Sequence, residues 1–159
     1  MHDSKRSMND IVIFLAGVWG VVGFDRMTKI FFSRLLDINE SIVVIKNVLH
    51  FTLVHNTGIA FGLFKDCGMV FIIIPLILTG LLIYNIYFYR HSVNLNRTYI
   101  VAFSLILGGA IGNLIDRIWL GYVVDFIDLR VWPVFNVADS AITIGGAVIL
   151  FKCIPSYSK

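Results

Sequence analysis

Apolar residues in this chain come in long unbroken runs rather than in the short stripes of a water-soluble fold. Ile11–Phe24 carries no charge, and its apolar character continues through Phe31 and Phe32 despite Asp25, Arg26 and Lys29. Cys67–Tyr89 and Thr98–Ile115 are uncharged throughout, and Val131–Phe151 holds a single charge, Asp139. A helix that crosses a bilayer needs about 20 mostly apolar residues. The second and third runs reach spanning length as they stand. The first and fourth reach it only by carrying ionisable residues near one end. The pattern predicts an all-α membrane protein with four transmembrane helices, over about 11–34, 67–90, 97–117 and 136–153, in a single domain covering 1–159.

The segment between the first two runs, about 38–65, has a different rhythm. Ser41–Ile45 is β-branched and apolar. Leu49–His55 alternates, with Leu49, Phe51, Leu53 and His55 on one side and His50, Thr52 and Val54 on the other. Lys46-Asn47 suits a turn between them. Asn56-Thr57-Gly58 suits a second, with Gly58 free to take positive φ. A small antiparallel β-sheet in the first outer loop is expected.

Composition agrees with the pattern. Of 159 residues, 58% are apolar and 14% charged, against roughly 45–50% and about 25% in soluble domains. Mean hydropathy is +0.85. Such a chain has too little polar surface to cover a soluble globule, and it is not disordered. Two cysteines, Cys67 and Cys153, exclude a disulfide framework. Basic residues are too few and too dispersed for nucleic acid.

Charge placement sets the orientation. Lys5, Arg6, Arg90, Arg97, Lys152 and Lys159 fall on one side of a four-helix topology, which the positive-inside bias makes cytoplasmic; both termini would then lie inside. The other face also holds Arg34, Lys46, Lys65, Arg117 and Arg130, so the bias is modest. No small-residue cleavage site follows the first run, where Asp25-Arg26 stands instead, and the first helix is expected to stay attached.

The carboxylates carry the chemistry. Asp25, Asp116, Asp125, Asp128 and Asp139 all map near the outer ends of the first, third and fourth helices. Ionisable groups at membrane depth cost at least about 2.5–3.5 kcal/mol each, so they usually face an interior. Asp25 and Lys29 share a helix face at i, i+4. Asn113 shares a face with Asp116 and Arg117. Simple ion pairing is one reading of Asp25–Lys29 and of Asp116–Arg117, and Asp128 has Arg130 as a local partner. Asp139 fits the first turn of a helix capped by Asn136. Asp125, in Val123-Val124-Asp125-Phe126, has no basic neighbour in sequence.

Two carboxyls close together in a low dielectric cannot both ionise cheaply, so one keeps a proton. Such a pair can activate water as base and protonate a departing amine as acid. The dipole of the fourth helix favours the anion at Asp139, leaving Asp125 as the protonated member. No H-E-x-x-H, G-x-S-x-G or phosphate loop is present, so no metal and no cofactor is expected. An ion-coupled carrier with an aspartate relay and a scaffold with purely structural pairs remain as alternatives. Clustering of the carboxyls at one end and the lack of a repeat speak against the carrier. Gly108, Gly109 and Gly112 form a small-residue face suited to close helix packing.

Taken in order, Asp25-x-x-Thr28-Lys29, Asn56-x-Gly58-x-Ala60-Phe61, Gly112-Asn113-x-x-Asp116-Arg117, Val123-Val124-Asp125-Phe126 and Phe135-Asn136-x-Ala138-Asp139-Ser140 resemble the motifs of the bacterial lipoprotein signal peptidase (signal peptidase II) family. The resemblance covers nearly the whole chain. It implies an aspartic endopeptidase of the bacterial cytoplasmic (inner) membrane, multi-pass, with its site near the outer face. The implied substrates are prolipoproteins carrying diacylglyceryl-cysteine, cut just before that cysteine; membrane lipid is the other partner, and a monomer is expected. It implies Asp125 and Asp139 as the catalytic pair, Asn56, Gly58, Asn113, Arg117 and Asn136 as substrate-binding positions, and Asp25, Lys29 and Asp116 as structural support. Arg26 departs from the glutamine often found at its position, which bears on the local pairing of Asp25.

Overall fold

A computed structural model describes residues 2–58 and 97–153, together with residues 73, 77, 80, 81 and 84. Helix α1 spans His2–Leu35, strand β1 Ser41–Ile45 and strand β2 Leu49–Asn56. Helix α2 spans Arg97–Trp119, strand β3 Val123–Asp128 and helix α3 Val137–Cys153. α1, α2 and α3 correspond to the first, third and fourth apolar runs. The expected helix at 67–90 falls outside the described residues apart from Ile73, Ile77, Gly80, Leu81 and Tyr84, which are helical. α1 begins well before residue 11, because Lys, Arg and Met are good helix formers whether or not they are buried.

α1 and α2 are both long and apolar enough to cross a membrane. α1 leaves Met8, Val12, Trp19, Phe24, Met27 and Phe31 exposed, far more apolar surface than a soluble monomer tolerates. α2 packs between α1 and α3, and its glycines make this possible. A Cβ on Gly108 would meet the Val21 side chain at 2.8 Å and the Val18 carbonyl at 2.9 Å, both on α1. A Cβ on Gly109 would strike the Ala138 carbonyl oxygen of α3, and one on Gly112 would lie 2.8 Å from an Asp25 oxygen. The small-residue face therefore packs as its sequence suggests.

The antiparallel sheet has the order β1-β2-β3. Lys46-Asn47 makes the first turn, with Asn47 at φ 62° and Val48 N–H bonded to Ile45 O. β3 is an addition to the sheet that the sequence pattern of 38–65 did not contain. It pairs with β2 through Val54↔Asp125 and His55↔Val124, with a bulge between Phe51 and Val54. One face of the sheet packs on the C-terminal end of α1: Leu53, Val124 and Phe126 bury against Phe32 and Leu36. The Phe32 and Phe126 rings stack with centroids 4.3 Å apart.

After β3 the chain turns back, with Arg130 at φ 65°. Phe135 then forms a bridge to Ile127, donating to its carbonyl at 3.0 Å and accepting its N–H at 2.8 Å. This return sets the next residue, Asn136, beside Asp125 and starts α3.

Candidate active site

Asn136 is fully buried and is the junction of the site. Its side-chain Oδ1 accepts the Asp139 backbone N–H at 2.9 Å, and its own backbone N–H donates to Asp139 Oδ2 at 3.3 Å. This reciprocal capping arrangement satisfies donors that a helix start leaves open. The Asn136 Nδ2 points the other way, donating to Asp125 Oδ1 at 2.7 Å, Asn113 Oδ1 at 3.0 Å and Val124 O at 3.3 Å. One residue thus caps α3 and joins both carboxylates expected to react, Asp125 through its side chain and Asp139 through its backbone N–H.

Asp125 is 1% exposed, and among the described residues its two oxygens accept from amides: Asn136 on Oδ1, and Asn56 Nδ2 on Oδ2 at 2.9 Å. Asn56 is oriented by a turn of its own, its Oδ1 accepting the Gly58 N–H at 3.0 Å. Burial pushes the Asp125 carboxyl up to about 7. The Asn56 bond opposes that rise, the Asp139 charge adds to it, and the Asn136 bond and the Lys29 charge oppose it. Asp139, half-buried in the first turn of α3, accepts Asn113 Nδ2 on Oδ1 at 2.7 Å.

A buried charge cluster lies behind this layer. Lys29 Nζ is 2.8 Å from Asp25 Oδ2, off the hydrogen-bond axis, and 2.7 Å from Asp116 Oδ2; it also donates to Asn113 Oδ1 at 3.0 Å. Asp25 Oδ1 accepts the Ala138 N–H at 3.0 Å, so α1 adds a carboxylate to the start of α3. Asp116 binds Arg26 through Oδ1 and accepts the Val124 N–H on Oδ2 at 3.2 Å, holding β3 against α2. Two acids and two bases balance, as buried charges require.

The Asp25–Lys29 pairing expected from i, i+4 spacing is present. The expected Asp116–Arg117 pairing is not: adjacent helix residues point about 100° apart, and Asp116 turns to α1 instead. Arg117 is half-buried, donates to Asn113 O at 3.4 Å, and lies within electrostatic range of Asp139, Asp125 and Asp116. Asp128 pairs with Arg130 at 3.1 Å, as their spacing suggested. Among the described residues no three His, Cys, Asp or Glu side chains gather as a metal site would need. Sequence reasoning missed the part played by Arg26, whose partner is 90 residues away. It also missed β3, although the β-branched and aromatic run Val123–Asp128 between Gly121 and Arg130 is a usable strand signal.

The family profile described as signal peptidase (SPase) II matches residues 18–155. A lipoprotein signal peptidase of Thermodesulfovibrio yellowstonii is 44% identical over 153 residues, covering 93% of this chain and 95% of that protein. One of Halothermothrix orenii is 43% identical over 130 residues, covering 82% and 87%. A solved structure described as a bacterial membrane enzyme superposes with a TM-score of 0.76 at 36% identity, covering 95% of this chain and 92% of its own. Profile, relatives and architecture agree, and the chain belongs to the signal peptidase II family of lipoprotein-processing membrane peptidases.

Proposed function

We propose that this peptidase is an aspartic endopeptidase in which Asp125 and Asp139 share one proton and hydrolyse the peptide bond just before the diacylglyceryl-cysteine of a prolipoprotein. The observation that carries this reading is Asn136, whose side-chain NH₂ donates to the Asp125 carboxylate and whose backbone N–H donates to the Asp139 carboxylate, so that one residue links the two acids. Asp139 acts as the anion and takes a proton from the attacking water. Asp125, whose carboxyl is raised to about 7, holds its proton near neutral pH and gives it to the scissile carbonyl oxygen. The resulting tetrahedral diol collapses as the C–N bond breaks. The leaving nitrogen takes the proton held by Asp139 while a diol hydroxyl returns one to Asp125, so the products are a signal-peptide carboxylic acid and the free amine of the lipidated cysteine, and the pair again carries one proton. The titration belongs to the pair.

Asn56, Gly58, Asn113, Arg117 and Asn136 line the substrate side. Amides offer an extended peptide both donors and acceptors, and Arg117 supplies positive charge near the developing oxyanion. Asp25, Lys29 and Asp116 hold the helices together behind them. The chain is a single four-span domain with both termini in the cytoplasm of a bacterium. Its sheet lies on the outer surface of the inner membrane, where it covers the reacting bond and limits water. The peptidase works as a monomer on lipid-embedded substrates without cofactor, and nucleic acid has no part in it.

The test uses full-length protein in detergent micelles with a diacylglyceryl-modified precursor. The wild type releases the signal peptide, with the new N-terminus at the lipidated cysteine. Asp125→Asn and Asp139→Asn each lose about 10²–10⁴-fold in kcat while keeping their circular dichroism spectra. Cleavage at the wild-type rate by either variant refutes the dyad.

A further inference from the structure

Lys29 is 1% exposed and sits on α1, behind the Asn113 amide that contacts Asp139. Ion pairing with Asp25 and Asp116 accounts for its burial. It does not account for the third contact, from Nζ to Asn113 Oδ1 at 3.0 Å. That contact bears on a choice Asn113 has to make. An amide is nearly symmetric in shape, and its two ends exchange by a half-turn of the side chain. In the observed orientation Nδ2 donates to Asp139 Oδ1 at 2.7 Å, while Oδ1 receives Lys29 Nζ and Asn136 Nδ2. Turned over, the amide would set its oxygen against a carboxylate and its NH₂ against an ammonium and a second NH₂, leaving buried groups mismatched on both sides.

We propose that Lys29 is a positioning residue for the dyad: its ammonium, pinned between Asp25 and Asp116, holds the Asn113 amide so that its NH₂ faces Asp139. This rests on the dyad reading above and goes beyond the supporting role the first-helix motif implies for Lys29. Polarisation adds to orientation. An amide whose oxygen accepts from a cation has a more acidic N–H, so the bond to Asp139 strengthens along the chain Lys29–Asn113–Asp139. Asn136 also donates to Asn113 Oδ1, but it carries no charge and already serves Val124 and Asp125. Lys29 is thus the charged half of the anchor.

Among the described residues, five groups face the dyad. Asn56 approaches from β2, Asn136 from the start of α3, Asn113 and Arg117 from α2, and Lys29 from α1. Lys29 and Arg117 are the cations among them. Loss of the Lys29 charge therefore disfavours the carboxylate forms and shifts the dyad's titration toward higher pH.

The experiment is a pH–rate profile of the full-length enzyme on the diacylglyceryl-modified precursor, with Lys29→Met and Lys29→Gln beside the wild type. Lys29→Met is expected to lose about 10²-fold in kcat with KM held within about twofold, and both limbs of its profile move up by about one pH unit. Lys29→Gln keeps a donor for Asn113 without the charge, so it recovers part of kcat but keeps the displaced limbs. A purely structural lysine would lower the melting temperature and the yield of active enzyme and leave the limbs in place; that result overturns the proposal, as does a wild-type profile from folded Lys29→Met. Should neither Lys29 variant fold, Asn113→Asp takes their place, keeping a partner for Lys29 and removing the donor to Asp139; unmoved limbs there also overturn it. Failure of the dyad itself is distinguishable, because it shows as activity in Asp125→Asn or Asp139→Asn.

Discussion

Replacing Asp125 with asparagine should make the protein more stable at neutral pH while lowering kcat by about 10²–10⁴-fold. The magnitude follows from burial. The carboxyl is raised from 3.8 to about 7 because β3 and its neighbours remove it from water. A group whose native value lies above its unfolded value binds protons more tightly when folded. The fold is therefore favoured below about pH 4, and stability falls as pH rises through the native value. At 1.36 kcal/mol per tenfold, the gap corresponds to about 4 kcal/mol between pH 4 and pH 7. Asparagine removes that dependence. It also turns one oxygen into an NH₂ facing an amide donor, from Asn56 or Asn136, which costs about 1–3 kcal/mol at every pH. The variant should be less stable than wild type near pH 4 and more stable by about 1–3 kcal/mol at pH 8. Unfolding in micelles, followed by circular dichroism at several pH values from 4 to 8, gives the difference directly. Curves that keep a constant separation across the range would refute the reasoning.

Gly109→Ala should cost about 1–3 kcal/mol by overpacking, because the added methyl meets the Ala138 carbonyl between Asn136 and Asp139. Gly146→Ala adds the same methyl into open space and should be neutral or slightly stabilising; equal melting temperatures for the two variants would contradict the packing argument. At Asp128, burial works to raise the carboxyl, but the Arg130 N–H, the Thr52 hydroxyl and the Arg130 guanidinium together hold it below its ordinary value. Stability from that depressed value is present above about pH 4 and is lost as pH falls through the native value. Asp128→Asn should thus be less stable than wild type at neutral pH, with the gap closing in acid. An acid-unfolding series on both proteins checks this.

What could be read from the chain depended on how far apart the interacting groups lie in sequence. Leu49–His55 showed its alternation, and Phe51 and Leu53 do pack inward on α1. Asp25 and Lys29 are one helical turn apart, and Asn136 and Asp139 have the spacing of a cap, so both pairs were visible. Asp116 was misread because its sequence neighbour is a cation, whereas the helix points that neighbour elsewhere and α1 supplies Arg26 and Lys29. The link from Asn136 to Asp125 was out of reach for a different reason. It depends on β3 joining β2 and on Phe135 bridging back to Ile127, and neither pairing leaves a local mark.

The double duty of Asn136 ties the integrity of a helix end to the readiness of the reacting groups. Helix termini ordinarily open and close at almost no cost. Here each such opening would also release Asp125 and detach Asp139 from its cap. The first turn of α3 is consequently held by contacts that also reach Asp125. On the proposed dyad, unravelling of this one turn and loss of activity would therefore go together.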